Sequence, residues 1–292
     1  MRSSNLEGAV IENLPDPHAF DLRRPPYWAA IELGLEETGS EKRYYDLKEH
    51  GGCSMRQLLD GIQRSNPGLL ADGFDRLCHA VLAAEAKTWL SGGVVQMRRK
   101  RCASLWEAKA YLSCKGASDL DVRRAAMLLS LLVDGEDRLR VRREIPRRHA
   151  VAPLLYVSIA FRPDIEIETY HDGPGPLRQF SSSEAKQISS SLSGCLDPRM
   201  CRALDTAHDL GILCTHISVD LVGAGAPTLT LLFDVPHARG PEALGVRAGL
   251  ISQLCAIAQA SPCPMAAASG QPTTKGLSQV LVAVNASAPS VF

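Results

Sequence analysis

A chain of 292 residues with 45% hydrophobic and 22% charged residues has room for one large soluble core or two smaller ones. Lys plus Arg and Asp plus Glu both number 32, so no global charge draws the chain to nucleic acid or to a membrane, and any basic site must be local. An apolar run of about eighteen residues is missing, MRSSNLEGAVIENLPDP carries no apolar signal core, and the nine cysteines include no CxxC pair; the chain reads as cytoplasmic, with free thiols and no zinc ribbon.

Residues 1–25, with Pro15, Pro17 and Pro25, read as an irregular lead-in. Trp28, Ile31 and Leu35 predict a short helix over 26–37. Ser54 is placed to cap a helix over Met55–Gln63, and Leu70, Phe74, Leu77 and Val81 mark a longer one over Leu69–Leu90. After Gly92-Gly93, Val94–Arg101 reads as a strand with Val95 and Met97 on one face and Gln96, Arg98 and Lys100 on the other. Helices are expected at Ser104–Cys114 and Leu120–Val133. Beyond the Asp134-Gly135 turn, Arg138–Ile145 alternates as a strand, Leu139 and Val141 against Arg138, Arg140, Arg142 and Glu144.

Leu154–Phe161 and Ile165–Tyr170 predict a hairpin about Arg162-Pro163-Asp164. Its apolar face is Leu155, Val157, Ile159, Phe161, Ile165 and Ile167; its polar face is Tyr156, Ser158, Glu166, Glu168 and Tyr170. The His171–Gly175 stretch is a tight loop at the strand end. Ser181 and Glu184 have capping-box spacing for a helix over Glu184–Leu192, and Asp197-Pro198 opens another over Arg199–Leu210. A long hairpin follows from Gly211 to Pro236, turning at Gly223-Ala224-Gly225-Ala226. Leu213, Thr215, Ile217, Val219 and Leu221, with Leu229, Leu231, Phe233 and Val235, make its apolar side. Cys214, His216, Ser218 and Asp220, with Thr228, Thr230, Leu232 and Asp234, make the other. A helix over Glu242–Gln259, a loose stretch at 261–276 and a strand over Leu277–Val284 complete the chain. The expected fold is a single α+β domain, mainly helical over 1–92 and strand-rich over 93–292, with helices on one side of an antiparallel sheet.

Two groups of residues carry chemistry. If the polar strand faces line one cavity, Arg98, Lys100, Arg138, Arg140 and Arg142 form a cationic wall suited to a diphosphate, because guanidinium binds phosphate oxygens in pairs. A solvated sheet face is the plain alternative. His216 shares its strand face with Cys214, Ser218 and Asp220 and is a candidate acid–base centre with Asp220. Residues two apart on a strand stand about 7 Å apart, so these do not form a contact triad, and a hydrogen-bonded structural histidine is the alternative. Cys201, Cys214, His208 and His216 lack any recognised metal-ligand spacing.

Two stretches, LYVSIAFRPDIEIETYHDGPGPLRQF (155–180) and CTHISVDLVGAGAPTLTLLFDVPHAR (214–239), resemble the hairpins of the soluble aromatic prenyltransferases of the ABBA, or PT-barrel, fold. The resemblance implies a ten-strand barrel with helices outside and a lumen holding an allylic diphosphate beside an aromatic small molecule or peptide. It implies electrophilic substitution through an allylic cation in small-molecule biosynthesis, with Arg and Lys on the diphosphate and tyrosines shielding the cation. Tyr156, Glu168, Tyr170, His171, Cys214, Ser218 and Thr230 would line that lumen. No cofactor is required on this reading, with Mg2+ as the one metal a diphosphate would bring. Two rival readings stand beside it: a nucleic-acid-binding module built on a ferredoxin-like C-terminal sheet, with the basic runs at 98–101 and 138–148 as its grip, and a non-catalytic interaction protein of the same fold.

Overall fold

The computed structural model describes residues 20–23, 29–34, 40–47, 53–100, 103–173, 179–193, 198–209, 211, 213–223, 228–235, 265–273 and 276–287. The strands are β1 (Ala29–Gly34), β2 (Ser40–Asp46), β3 (Ser91–Lys100), β4 (Glu107–Ser113), β5 (Leu154–Phe161), β6 (Ile165–Asp172), β7 (Leu213–Val222), β8 (Thr228–Val235), β9 (Met265–Thr273) and β10 (Gly276–Ser287). The helices are α1 (Met55–Ser65), α2 (Gly73–Lys87), α3 (Asp119–Leu129), α4 (Gly135–Val151), α5 (Ser182–Ser193) and α6 (Pro198–Asp209). Strand neighbours run in chain order from β1 to β8 and then β10 and β9. β9 pairs back onto β1, from Ala29↔Gly270 to Gly34↔Met265, so the order closes on itself.

Period-two patterning decides which face meets the helices. Val95 and Met97 of β3, Ala108, Ala110 and Leu112 of β4, Val157 and Ile159 of β5 and Ile167 of β6 are all buried. They join Leu58, Leu59, Ile62, Phe74, Leu77, Val81, Val141 and Ile145 of the helices in one core. Each fully buried Leu, Ile or Val there contributes roughly 1.5–3 kcal/mol. α1 begins as expected, with Ser54 and Gln57 exchanging capping bonds of 3.2 and 2.8 Å.

Four expected elements differ. Residues 26–37 and 104–114 hold strands β1 and β4 instead of helices, and 265–273 is strand β9 within the stretch read as loose. Glu107–Ser113 is rich in helix formers, yet β3 and β5 pair with it on both sides and tertiary pairing outweighs propensity. Arg138–Ile145 is helical, part of α4. There Val141, Ile145 and Arg148 are buried at helical spacing while Leu139 is exposed. Gly135 opens the segment at φ 57°, Glu136 and Asp137 lie in the first turn, and Arg148 and His149 lie in the last, as the helix dipole favours. The first 92 residues thus contain strands as well as helices α1 and α2. The helix expected over 242–259 lies outside the described residues. In a ferredoxin-like βαββαβ sheet the first strand lies between the third and the fourth, whereas here β6 pairs with β7, β7 with β8 and β8 with β10, so β6 touches neither β8 nor β10.

Candidate active site

The face of the sheet turned away from α1 and α2 carries the polar residues. Across β4, β5 and β6 the register sets Lys109 beside Ala160 and Glu166, Tyr111 beside Ser158 and Glu168, and Tyr156 beside Tyr170. Ala160 and Ser158 are small, which leaves space over β5 for longer side chains from both sides. Lys109 and Glu168 meet across that gap, Nζ to Oε1 at 2.5 Å. Lys109 Nζ also donates to Tyr170 Oη at 3.2 Å, and the Tyr170 hydroxyl donates to the other Glu168 oxygen. The ammonium stands 5.6 Å from the ring centroids of both Tyr111 and Tyr170. The three tyrosines meet edge to face: Tyr111–Tyr170 at 5.3 Å and Tyr111–Tyr156 at 6.1 Å. On the neighbouring strands, Gln96 Nε2 donates to Tyr44 Oη at 2.6 Å.

Burial sharpens these interactions. The Lys109 side chain is 7% exposed and that of Glu168 is 18% exposed. Burial works to raise the Glu168 carboxyl, but the Lys109 ammonium and the Tyr170 hydroxyl outweigh it and hold the group below the usual carboxylate range. Burial first, then neighbouring negative charge, pushes the Tyr111 and Tyr170 hydroxyls well above the ordinary phenol range, so both stay neutral. At the end of β5, Arg162 faces Glu107 and Glu166 at 3.3 Å each, while its buried Nη2 has no hydrogen-bond partner. Ser158 Oγ, fully buried between Tyr111 and Glu168, has none either.

The expected site residues divide. Arg98 lies on the polar face of β3, opposite Glu107, and is half-buried. Lys100 ends β3 opposite Ser40. Arg138, Arg140 and Arg142 do not join them, because α4 carries these residues outside the sheet. There Arg138 pairs with Asp134 at 3.1 Å, Arg140 with Asp137 at 3.0 Å, and Arg142 Nε donates to Ser130 Oγ at 2.8 Å. Tyr156, Glu168 and Tyr170 converge as described, and Ser218 and half-buried Thr230 lie in register beside Tyr170. Asp220 stands opposite Glu168. His216 Nε2 lies 3.1 Å from Asp172 Oδ1, and its Nδ1 lies 2.9 Å from Thr215 Oγ1.

Cys214 does not share the His216 face as simple alternation requires. A register shift sets Cys214 opposite Phe233 but His216 opposite Leu232, which breaks the alternation between them. His171 lies in the core rather than the lumen: it is fully buried and its Nδ1 donates to the Ala152 carbonyl at 2.9 Å. Burial lowers its pKa to about 4, so the ring is neutral. Lys109, Tyr111, Tyr44 and Arg162 are absent from the expected site. Lys109 and Tyr111 were hidden by the helical reading of 104–114, although Lys-x-Tyr at a spacing of two mirrors the Glu-x-Tyr of β6. Arg148 holds the site from behind. Its guanidinium donates to Thr169 Oγ1 at 2.8 Å, Val219 O at 2.9 Å and Asp220 O at 3.0 Å, tying β6 to β7. Burial lowers its pKa to about 10, still leaving it charged near neutrality.

Among the described residues, no group of three or more His, Cys, Asp or Glu is arranged to hold a metal ion, and no helix is long and apolar enough to cross a membrane. Helices packed on one side of an antiparallel sheet define an α+β protein, and the tyrosine- and charge-bearing opposite face is its candidate site. The chain resembles the soluble aromatic prenyltransferases of the ABBA fold. The 5-dimethylallyl tryptophan synthase from Streptomyces coelicolor, in complex with DMASPP and Trp, matches with a TM-score of 0.50 and 14% identity, over 96% of this chain and 85% of that one. AnaPT from Neosartorya fischeri matches with a TM-score of 0.48 and 16% identity, over 92% of this chain and 80% of that one. At such identities the likeness is one of fold. The sequence matches no protein-family model and no curated protein.

Proposed function

We propose that the protein transfers a prenyl group from an allylic diphosphate to an aromatic small molecule or peptide, as a cytoplasmic enzyme of small-molecule biosynthesis. The observation that carries this reading is the buried Lys109 ammonium held over two tyrosine rings beside Glu168. A π-environment that accommodates an ammonium also favours an allylic cation. Lys109, Arg162 and Arg98 are the donors for the diphosphate, and the unpartnered Arg162 Nη2 has an N–H to give. In the reaction the donor's C–O bond breaks and its electron pair leaves with the diphosphate, met by these cations. Tyr111, Tyr156 and Tyr170 shield the allylic cation. An acceptor ring carbon attacks it, the new C–C bond forms, and the ring proton passes to Glu168. A carboxylate of low basicity suffices, because the protonated ring is a strong acid. His216, paired with Asp172, is the acid–base group farther along β7, with Ser218 between it and Asp220, which stands in the Glu168 row. A Mg2+ arriving with the diphosphate would find no three-ligand set among the described residues, and no step runs through it.

Titration calorimetry with dimethylallyl thiolodiphosphate, which cannot react readily, tests the donor site. Arg162→Gln removes a charged donor worth roughly 1.5–3 kcal/mol and should weaken binding about ten- to a hundredfold. Unchanged affinity would remove Arg162 from the site. No binding to the parent protein, with tight and salt-sensitive binding of RNA, would favour the nucleic-acid reading instead.

A further inference from the structure

Away from the sheet, α3 and α4 form a helical hairpin whose outer side is unusually apolar. Leu120 (57% exposed) and Met127 (59%) on α3, Leu131 (60%) in the turn and Leu139 (67%) on α4 are all exposed, and the described residues expose only one other large apolar side chain, Leu105. Leu120 and Met127 sit seven residues apart on α3, with Leu131 in the turn of 3-10 helix that continues it, so they share one stripe. Leu139 stands in the first half of α4, and Arg142 Nε reaches back to Ser130 Oγ at 2.8 Å, which fixes α4 against that turn.

The charges around Leu139 show what would cover this face. Asp134 pairs with Arg138, Asp137 with Arg140, and Arg143 with Glu144. On α4 two exposed charges are left over, and on α3 exposed Arg123, between Leu120 and Met127, also has no ion-pair partner among the described residues. Neither Glu136 nor Arg142 has an ion-pair partner among the described residues, and they stand three residues to either side of Leu139. Two α4 helices crossing antiparallel at Leu139 set each residue against its mirror position, so Arg142 of one copy meets Glu136 of the other, and the reverse pair forms by symmetry. A twofold contact needs such self-complementarity. A flat acidic or basic partner would satisfy only one of the two charges.

We propose that the outer face of the α3–α4 hairpin is a homodimer interface, with the twofold axis at Leu139 and reciprocal Arg142–Glu136 pairs across it. Sedimentation velocity over a concentration series reads the equilibrium, and circular dichroism checks that each variant is folded. The parent chain should show a reversible dimer. Leu139→Asp and Glu136→Arg should each weaken it by about tenfold or more, and Glu136→Arg combined with Arg142→Glu should recover most of the loss. Leu139 and Glu136 are exposed, so these changes leave the fold intact. A monomer at every concentration, or a dimer indifferent to Leu139→Asp, overturns the interface. A charge swap that recovers nothing overturns the axis.

Discussion

Removing the Glu168 carboxylate separates the energetics of the site from its chemistry. In Glu168→Ala the Lys109 ammonium keeps only the Tyr170 hydroxyl as a partner, at 3.2 Å, in surroundings that leave its side chain 7% exposed. Breaking one half of a buried pair costs about 3–5 kcal/mol, and the partial exposure of Glu168 places this case near the lower end, at about 3 kcal/mol. The melting temperature should fall by roughly 5 °C for a chain of this size. Lys109→Met combined with Glu168→Met removes both desolvation penalties and should bring stability back to within about 1 kcal/mol of the parent. The same double variant should fail to bind dimethylallyl thiolodiphosphate. Urea unfolding of the parent, the single and the double variants, followed by calorimetry on the double, provides the assay. An unchanged midpoint for Glu168→Ala would mean the pair is solvated. A double variant as unstable as the single one would mean that packing, not charge, sets the cost.

His171 makes stability depend on pH: its pKa is about 4 in the folded chain against 6.5 for a free side chain, so the unfolded chain takes up the proton first. That contribution is fully present above about 6.5 and is lost as the pH falls toward 4, on the order of 3 kcal/mol. The slope of unfolding free energy over this window should be shallower in His171→Gln, and an identical slope would contradict the assignment. On β7, Val219→Asp places an unpaired carboxylate at a position 1% exposed on the helix side and should cost several kcal/mol, about the difference between folded and unfolded chain, while Ser218→Ala on the other face costs about 1 kcal/mol or less. Equal melting temperatures for the two would mean the strand faces the other way.

The β5–β6 and β7–β8 hairpins were legible because β-branched alternation ran unbroken on both sides of a turn. Their facing followed as well, with Ile159, Ile167, Ile217 and Val219 buried toward the helices and Tyr156, Glu168 and Tyr170 opposite. Local reading failed where composition and period disagreed. In Glu107–Ser113, alanines and a lysine suggested a helix, although Ala108, Ala110 and Leu112 already alternated with Lys109 and Tyr111. Half of the candidate site was lost with that strand. In α4 the alternation of Arg with Leu139 and Val141 mimicked a strand, while the informative spacing ran from Val141 through Ile145 to Arg148. The Lys109–Glu168 pair spans three strands and rests on small residues between them, so only strand order reveals it.

Product formation tests the proposed transfer most directly. The purified chain is incubated with dimethylallyl diphosphate and a panel of aromatic acceptors that includes tryptophan, and products are read by mass spectrometry. The expected result is an acceptor carrying one dimethylallyl unit, with the signal abolished in the folded Lys109→Met, Glu168→Met variant. Product that persists undiminished in that variant, or a parent chain that neither binds the thiolodiphosphate nor prenylates any acceptor, would contradict the account.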